Sequence, residues 1–311
     1  MSREPEIGVG LWSMQVTPPR GRGHIQLYEE LRHEAHLVEK LGFDSLWVSE
    51  HHGWFDGYCP AATVAAASAL GATGRLRVGT AVTLLPLHHV EHLATSALEL
   101  HALSGGRFVL GVAAGYRSEE FEAFGVPRER RGALMDQHLA GLAEVWGGAD
   151  GPEVLVGAAS EAAATRAARH GAGILLPPPV AVEKVRAIVA AYHAAGGTGR
   201  VGVMRDLCVA ETADEARRAA EPWLWYAHTQ YAAMEGMGDE EEIRAFAERS
   251  TAASIVGTPD DALEQLSPLL ATEPDLLLFR VRWGDQPTAQ VAGNLTTIAH
   301  ELAPAIRKVS T

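Results

Sequence analysis

Segments typical of strands and segments typical of helices alternate along this chain from one end to the other. The strand-like segments are short, apolar and rich in β-branched residues, and segments with one apolar helical face separate them. They span residues 7–12, 44–49, 77–85, 107–113, 154–156, 174–176, 203–210 and 276–281. Strands joined by helices run parallel, because each helix carries the chain back to the edge at which the previous strand began. Eight such units in 311 residues predict one α/β domain over residues 1–311, a TIM-like (β/α)8 barrel.

One stretch, residues 222–256, is too long for a plain connection between two strands. It is rich in aromatic and methionine residues, among them Trp223, Tyr231 and Met234. We expect this insertion to form extra helices over the mouth of the barrel. Its side chains would then either line a substrate cavity or pack the added helices.

Composition excludes several classes of partner. A net charge of −13 argues against binding to nucleic acid or to an anionic membrane, since both need clustered Lys and Arg. The polar start of the chain shows no secretory signal, and its apolar runs are shorter than the roughly 20 residues that cross a bilayer. Cys59 and Cys208 lack a metal-type spacing and are compatible with reduced thiols. A cytoplasmic enzyme is the expectation.

The second predicted strand ends abruptly in Glu50, His51 and His52. In α/β barrels, the carboxyl ends of the strands carry the catalytic groups. A single Glu or His at this place is usually a polar strand end that faces solvent. Three in a row, followed by an aromatic loop at residues 53–58, indicate instead the edge of an active site.

Two other strand ends are rich in small residues. At residues 156–161, Gly157 and Ala158 precede Ser160, a good N-cap, so the free N–H groups of the next helix would hold a phosphate; an ordinary capped helix is the alternative. At Ala113, Ala114 and Gly115, small side chains would let a flat ring lie against the backbone, although a tight turn explains them equally well.

Several histidines raise the question of a metal site. His88, His89 and His92 lie close in sequence, and His51 and His52 end the second strand. Adjacent residues such as His88 and His89 do not point into the same site, and carboxylates at the strand ends are few. The sequence therefore predicts no metal.

Four segments in the first half of the chain, residues 42–52, 78–86, 104–112 and 120–126, and a later one at 256–259 resemble the bacterial luciferase-like flavin monooxygenases. The resemblance covers most of the chain and is densest over residues 42–146. It implies a TIM-like barrel that binds reduced FMN or, in sister branches, the deazaflavin coenzyme F-420.

The resemblance also implies roles for individual residues. His51 matches a histidine that acts as catalytic base or stabilises the oxygenated flavin, with Glu50 and His52 as its supports. Ala81 and Val82 fall where relatives carry a non-proline cis peptide behind the flavin, and Ser160 matches a phosphate ligand. Relatives also pair through the helices that correspond to residues 61–70 and 90–103. Since the first is small and apolar on most faces, a homodimer is expected.

The chain departs from luciferase itself at three positions. Ala113 and Ala114 stand in place of a reactive Cys and an Arg, and Ala163 in place of a second phosphate-binding hydroxyl. Light emission from a long-chain aldehyde is therefore not expected.

The predicted function is that of a monooxygenase that uses dioxygen, and FMN reduced by a separate reductase, on a small organic substrate. A deazaflavin-dependent hydride-transfer enzyme and a non-catalytic flavin-binding subunit are the alternatives. Arg280 and Arg282 near the end of the last strand are candidates to pair with an anionic group, but alternation turns one of them outward.

Overall fold

The computed structural model describes residues 4–16, 23–148, 150–284 and 286–310. Residues 1–3, on which the prediction about a secretory signal partly rests, lie outside the described residues. Its strands are β1 (Glu6–Trp12), β2 (Ser45–Val48), β3 (Arg77–Thr80), β4 (Thr83–Leu84), β5 (Phe108–Ala113), β6 (Glu153–Gly157), β7 (Gly173–Leu176), β8 (Val201–Val209), β9 (Ile255–Gly257) and β10 (Leu276–Arg280).

Eight of these strands form a closed parallel barrel. Their order is β1, β2, β3, β5, β6, β7, β8 and β10, and β10 pairs with both β8 and β1. The predicted (β/α)8 architecture is therefore confirmed. The third predicted strand, 77–85, differs in detail, because Ala81 and Val82 interrupt it and only Thr83–Leu84 resumes pairing, as β4 against β5.

Helices cover the outside of the barrel and its mouth. They are α1 (His24–Lys40), α2 (Ala62–Gly71), α3 (Val90–Leu103), α4 (Ser118–Ala123), α5 (Arg131–Trp146), α6 (Glu161–Arg169), α7 (Val182–Ala194), α8 (Ala213–Met234), α9 (Glu240–Ala252), α10 (Pro259–Leu270), α11 (Thr288–Thr297) and α12 (Ala303–Val309). Within the described residues, no helix combines the length and the apolar character needed to span a membrane.

The insertion begins earlier than the sequence suggested. Its first helix, α8, starts at Ala213 rather than near residue 222, because Thr212 and Glu215 form a capping box there. Pro222 lies inside this helix and does not end it. After α9, the chain returns to the barrel through β9, which pairs with the end of β8.

Trp47 is the largest side chain of the apolar cluster in the barrel interior. Trp47 on β2 is fully buried, and its indole N–H donates to Ser45 Oγ at 2.9 Å. A Cβ atom added at Gly79 on the neighbouring strand would lie 2.3 Å from the Trp47 ring, and one at Gly8 would lie 2.8 Å from its Nε1. Glycine at these positions is therefore required by the size of the ring.

Four charged residues close the opposite end of the barrel, where the strands begin. Glu6 Oε2 accepts from Arg77 at 3.0 Å and from Arg200 at 2.6 Å. Glu153 Oε2 accepts from the same two arginines at 2.5 and 3.0 Å. Charges of opposite sign thus alternate around a closed ring, which we call the basal ring.

Candidate active site

A cavity of about 880 Å³ opens at the carboxyl ends of the barrel strands, a volume in the usual range for small-molecule sites. All eight barrel strands contribute to its wall, either directly or through the residue that follows. These contributions are Leu11, Ser49, Ala81, Ala113, Gly157, Leu175, Met204 and Arg280. The insertion contributes His228, Tyr231, Glu235, Phe246 and Ser250, so α8 and α9 line the cavity as well as pack on the barrel.

His51 lies in this wall with a buried carboxylate behind it. Its Nδ1 atom lies 2.9 Å from Glu120 Oε1, and this oxygen also accepts the backbone N–H of His52 at 2.8 Å. Since Glu120 is buried and acts as an acceptor here, Nδ1 carries the proton and Nε2 is left for the cavity. On that side, the hydroxyl of Tyr116 lies 3.4 Å from Nε2. The imidazole is thus held in one orientation and one tautomer.

Glu50 does not support His51, in contrast to the role that the sequence comparison implied. Its Oε1 atom instead lies 3.0 Å from His52 Nε2 and 2.8 Å from His88 Nε2. Residues two apart on an extended chain share a side, whereas adjacent residues point in opposite directions. Burial by itself raises the pKa of Glu50, but the hydrogen bonds from the two histidines outweigh it, and the pKa lies below its ordinary value.

Phenolic hydroxyl groups surround the cavity face of His51. Tyr58 packs edge-on against the imidazole, with 4.8 Å between ring centroids, and Tyr116 does so at 5.5 Å. The Tyr58 hydroxyl lies 2.7 Å from Ser49 Oγ and 2.9 Å from the hydroxyl of Tyr231. Burial raises the pKa of both Tyr58 and Tyr116 well above the ordinary tyrosine value, so these groups act as neutral donors. The sequence placed Tyr58 in the loop beside the site and Tyr231 in an insertion that would line a cavity or pack helices, but it gave none of the three hydroxyl groups a role.

The other end of the cavity holds the predicted anion site and two arginines. Ser160 is the N-cap of α6, and its Oγ accepts the N–H of Ala163 at 3.3 Å. Arg131, at the start of α5, and Arg166, on α6, also line this end. Arg131 is the last member of the basic run at residues 128–131. A phosphate at this end would therefore meet positive charge in addition to backbone N–H groups.

Small residues form the wall between these two ends. Ala113, Ala114, Gly115, Gly157, Ala81 and Val82 all line the cavity. A Cβ atom added at Gly157 would lie 3.2 Å from Ala113 Cβ, so a larger side chain there would push into this wall. The Ala81–Val82 peptide is cis, as the resemblance predicted.

Two predicted site residues lie outside the cavity wall. Ala158 is fully buried, and its N–H donates to Leu175 O at 2.9 Å, so neither its side chain nor its N–H is available to a ligand. His52 turns toward Glu50 and Phe124 rather than toward the cavity.

A buried ion pair forms part of the cavity wall on the side of β8 and β10. Arg280 donates through Nε and Nη2 to Asp206, its neighbour in register, and His228 Nε2 lies 3.2 Å from the same carboxylate. Burial raises the pKa of Asp206, but Arg280 and His228 outweigh this, so it lies well below the ordinary value. Arg282 points the other way and pairs with Glu34 and Glu30 on α1. Strand alternation does not explain this, because residues two apart on a strand share a side. Arg282 instead lies beyond the end of β10 at Arg280, where the chain is no longer held in a strand.

These features fit a flavin or a deazaflavin. The smooth wall around Gly157 leaves room for a flat ring system, and Ser160, Arg131 and Arg166 provide a phosphate end. Besides His51, the described wall carries the acid–base side chains of Glu50, Glu129, His228 and Glu235.

Comparison with known proteins agrees with this reading. The family model for luciferase-like monooxygenases matches residues 9–272. The chain is 39% identical over 94 residues to a 4-hydroxyprotoasukamycin monooxygenase of Streptomyces nodosus subsp. asukaensis, a match that covers 30% of this chain and 25% of that protein. It is 38% identical over 100 residues to an alkanal monooxygenase alpha chain of Photorhabdus luminescens, covering 32% and 28%. The matched segment thus spans about a quarter of the length of these relatives.

Solved structures share the fold over nearly the whole chain. Monooxygenase RslO1 from Streptomyces bottropensis superposes with a TM-score of 0.80 at 24% identity, covering 96% of this chain and 99% of the other. The oxygenating constituent of 3,6-diketocamphane monooxygenase from Pseudomonas putida, in complex with FMN, gives 0.77 at 18% identity, covering 97% and 98%. A secondary alcohol dehydrogenase dependent on coenzyme F-420 gives 0.76 at 15%, covering 98% and 99%. The match of the family model over most of the chain makes this protein a member of the luciferase-like monooxygenase family.

Proposed function

We propose that this protein is the oxygenating component of a two-component monooxygenase, which takes reduced FMN from a separate reductase and inserts one atom of dioxygen into a small organic substrate. The observation that carries the proposal is that His51 lines the cavity while the buried carboxylate of Glu120 holds its ring from behind. When bound, reduced FMN supplies the electrons that activate dioxygen.

The protein's own part in this reaction is to position groups and to exclude water. Glu120 keeps the proton on Nδ1 of His51, so Nε2 accepts a proton from the substrate or cofactor and returns it later. Tyr58, Tyr116 and Tyr231 surround this atom with weakly acidic hydroxyl groups. Helices α8 and α9 cover the cavity, which keeps bulk water from a reactive species.

The charge distribution of the site favours FMN over F-420. FMN ends in a single phosphate, for which Ser160, Arg131 and Arg166 form a compact site. F-420 continues into an oligoglutamate tail, and the acidic side chains Glu129 and Glu235 line the same cavity in a chain of net charge −13. A tail of several carboxylates would meet repulsion there.

The partners that this proposal implies are a flavin reductase, dioxygen and a small organic substrate. We further propose that the chain forms a single domain, works in the cytoplasm and assembles as a homodimer through α2 and α3. Val64 on α2 and Leu103 at the end of α3 are large apolar side chains with 59% and 84% of their surface exposed, which supports this interface.

Anaerobic titration tests the choice of cofactor. Quenching of tryptophan fluorescence should show tighter binding of reduced FMN than of reduced F-420. Arg166→Gln should weaken FMN binding about tenfold, because it removes a charge from the phosphate end. Arg169→Gln is the matched control, since Arg169 lies on the same helix and also pairs with Asp136 but does not line the cavity. Tighter binding of F-420 would overturn the assignment and favour hydride transfer.

A further inference from the structure

A second cluster of titratable groups lies beside the cavity. Glu50 follows the end of β2, His52 comes two residues later, and His88 lies in the loop before α3. One ligand atom from each of the three residues falls within 4.8 Å of the other two. The residues come from two separate segments of the chain, which the barrel places side by side.

The donor set is that of a transition-metal site. Two imidazole Nε2 atoms converge on one carboxylate, with Nε2–Oε1 distances of 3.0 Å for His52 and 2.8 Å for His88. A tetrahedral zinc ion, with bonds of about 2.0–2.1 Å, holds its ligand atoms about 3.3 Å apart. Both contacts therefore need to open by only a few tenths of an ångström for an ion to replace the hydrogen bonds.

One carboxylate atom is unexplained by the hydrogen bonds. Glu50 is 98% buried, and its Oε2 has no hydrogen-bond partner among the described residues. A buried carboxylate oxygen without a donor is costly, and a cation that shares the carboxylate would remove this cost. Oε1, in contrast, accepts from both histidines and lies 3.3 Å from the N–H of Leu84. The unpaired Oε2 of Glu50 is therefore a second observation, separate from the two histidines, that favours a bound cation.

The cluster is also reachable from solvent. The side chain of His88 is 26% exposed and that of His52 is 12% exposed, while Glu50 lies at the inner end. His89 turns outward, with 77% of its side chain exposed, and pairs with Glu91. His88 and His89 thus point to different sides, as the sequence predicted, but the sequence did not indicate that the carboxylate of Glu50 lies beside His88.

We propose that Glu50, His52 and His88 bind one divalent transition-metal ion of the zinc or cobalt type. Imidazole and carboxylate together suit these ions, whereas calcium and magnesium prefer shells made only of oxygen. Three protein ligands leave a fourth position for water on the exposed side. The ion joins the end of β2 to the loop before α3, next to His51. Glu50 also lines the cavity proposed for the flavin, whereas His52 and His88 lie outside its wall. The proposal replaces the prediction that no metal binds.

Metal titration of the tag-free, chelator-treated full-length protein tests this proposal. Cobalt(II) serves as the optical probe, and zinc(II) is followed by calorimetry. We expect one cobalt ion per chain, with visible absorption in the range of four-coordinate sites, and zinc should displace it. Loss of one ligand in His88→Gln should weaken binding at least tenfold, and His89→Gln is the matched control because that side chain faces solvent.

Two variants and a folding control show whether these three residues bind the ion. Circular dichroism confirms that the variants remain folded, and His88 suits this test because it is the most exposed of the three ligands. His52→Gln is the second variant, and it should lose the cobalt spectrum as His88→Gln does. Absence of saturable cobalt or zinc binding up to about 100 μM, a dissociation constant that corresponds to about 5.5 kcal/mol, would overturn the proposal. Binding that survives both substitutions would overturn it as well.

Discussion

Replacing Asp206 by Asn should destabilise the barrel more than any surface change of the same kind. Asp206 accepts from Arg280 Nη2 at 2.6 Å and also from Arg280 Nε, and it receives weaker contacts from His228 and Trp283 at 3.2 Å. Both members of the ion pair are buried, with 3% and 8% of their side-chain surface exposed. The substitution removes the negative charge and leaves the buried guanidinium of Arg280 without its carboxylate partner.

The expected loss is about 3–5 kcal/mol, the usual cost of breaking a buried pair from one side. An unfolding entropy of roughly 2.1 cal/mol/K per residue gives about 0.65 kcal/mol/K for this chain. The midpoint of thermal unfolding should therefore fall by about 5–8 °C when followed by circular dichroism or calorimetry. Because the pKa of Asp206 is lowered in the folded state, its stabilisation is complete above the ordinary Asp value near 3.9 and is lost only as the pH falls further. The difference between the proteins should thus be the same at pH 7 and pH 5.5.

Two further variants separate the buried charge from other effects. Glu248→Gln breaks an exposed pair with Arg244 and should shift the midpoint by less than about 1 °C. The double substitution Asp206→Leu with Arg280→Met removes both charges and should recover much of the loss, since no unpaired ion remains. A shift below about 2 °C for Asp206→Asn would refute the reasoning, because Arg280 would then be compensated by something other than Asp206.

His51→Ala should lower turnover about a hundredfold with the fold intact, because it removes the proton acceptor. Glu120→Gln should lower turnover about tenfold, because it removes only the group that orients His51. Unchanged turnover in His51→Ala would assign His51 a structural role. Cys59 and Cys208 should resist thiol reagents at pH 8 and react only after unfolding, since burial raises their pKa values to about 11 and about 12. Light scattering should give roughly twice the chain mass of 33.2 kDa, and Val64→Glu on α2 should yield monomers; a monomeric parent protein would remove the dimer from the proposal.

The sequence predicted well those features that depend on neighbours along the chain. Strand and helix alternation is a local property of the sequence. It was therefore possible to predict the eight barrel strands and the place of His51 at the end of β2. The partner of His51 could not be predicted, because Glu120 lies 69 residues away and only the folded barrel brings the two together. The same holds for Arg131 and Arg166 at the phosphate end. The sequence could have indicated that Glu50 does not support His51, since alternation along an extended chain puts Glu50 on the same side as His52.

The basal ring bears on how the two halves of the chain depend on each other. Glu6, Arg77 and Glu153 belong to the first half, and Arg200 belongs to the second. A fragment that ends after β6 would therefore keep two carboxylates around one guanidinium, and the remaining fragment would carry an unmatched positive charge. The first fragment alone would carry an excess negative charge at the base of the barrel, and the second an excess positive charge. Each charge is neutralised only when the two fragments meet. If the gene is split after β6, the two products should reassociate more weakly as the salt concentration increases, because screening acts on the charges that distinguish the correct partner from a second copy of the same half.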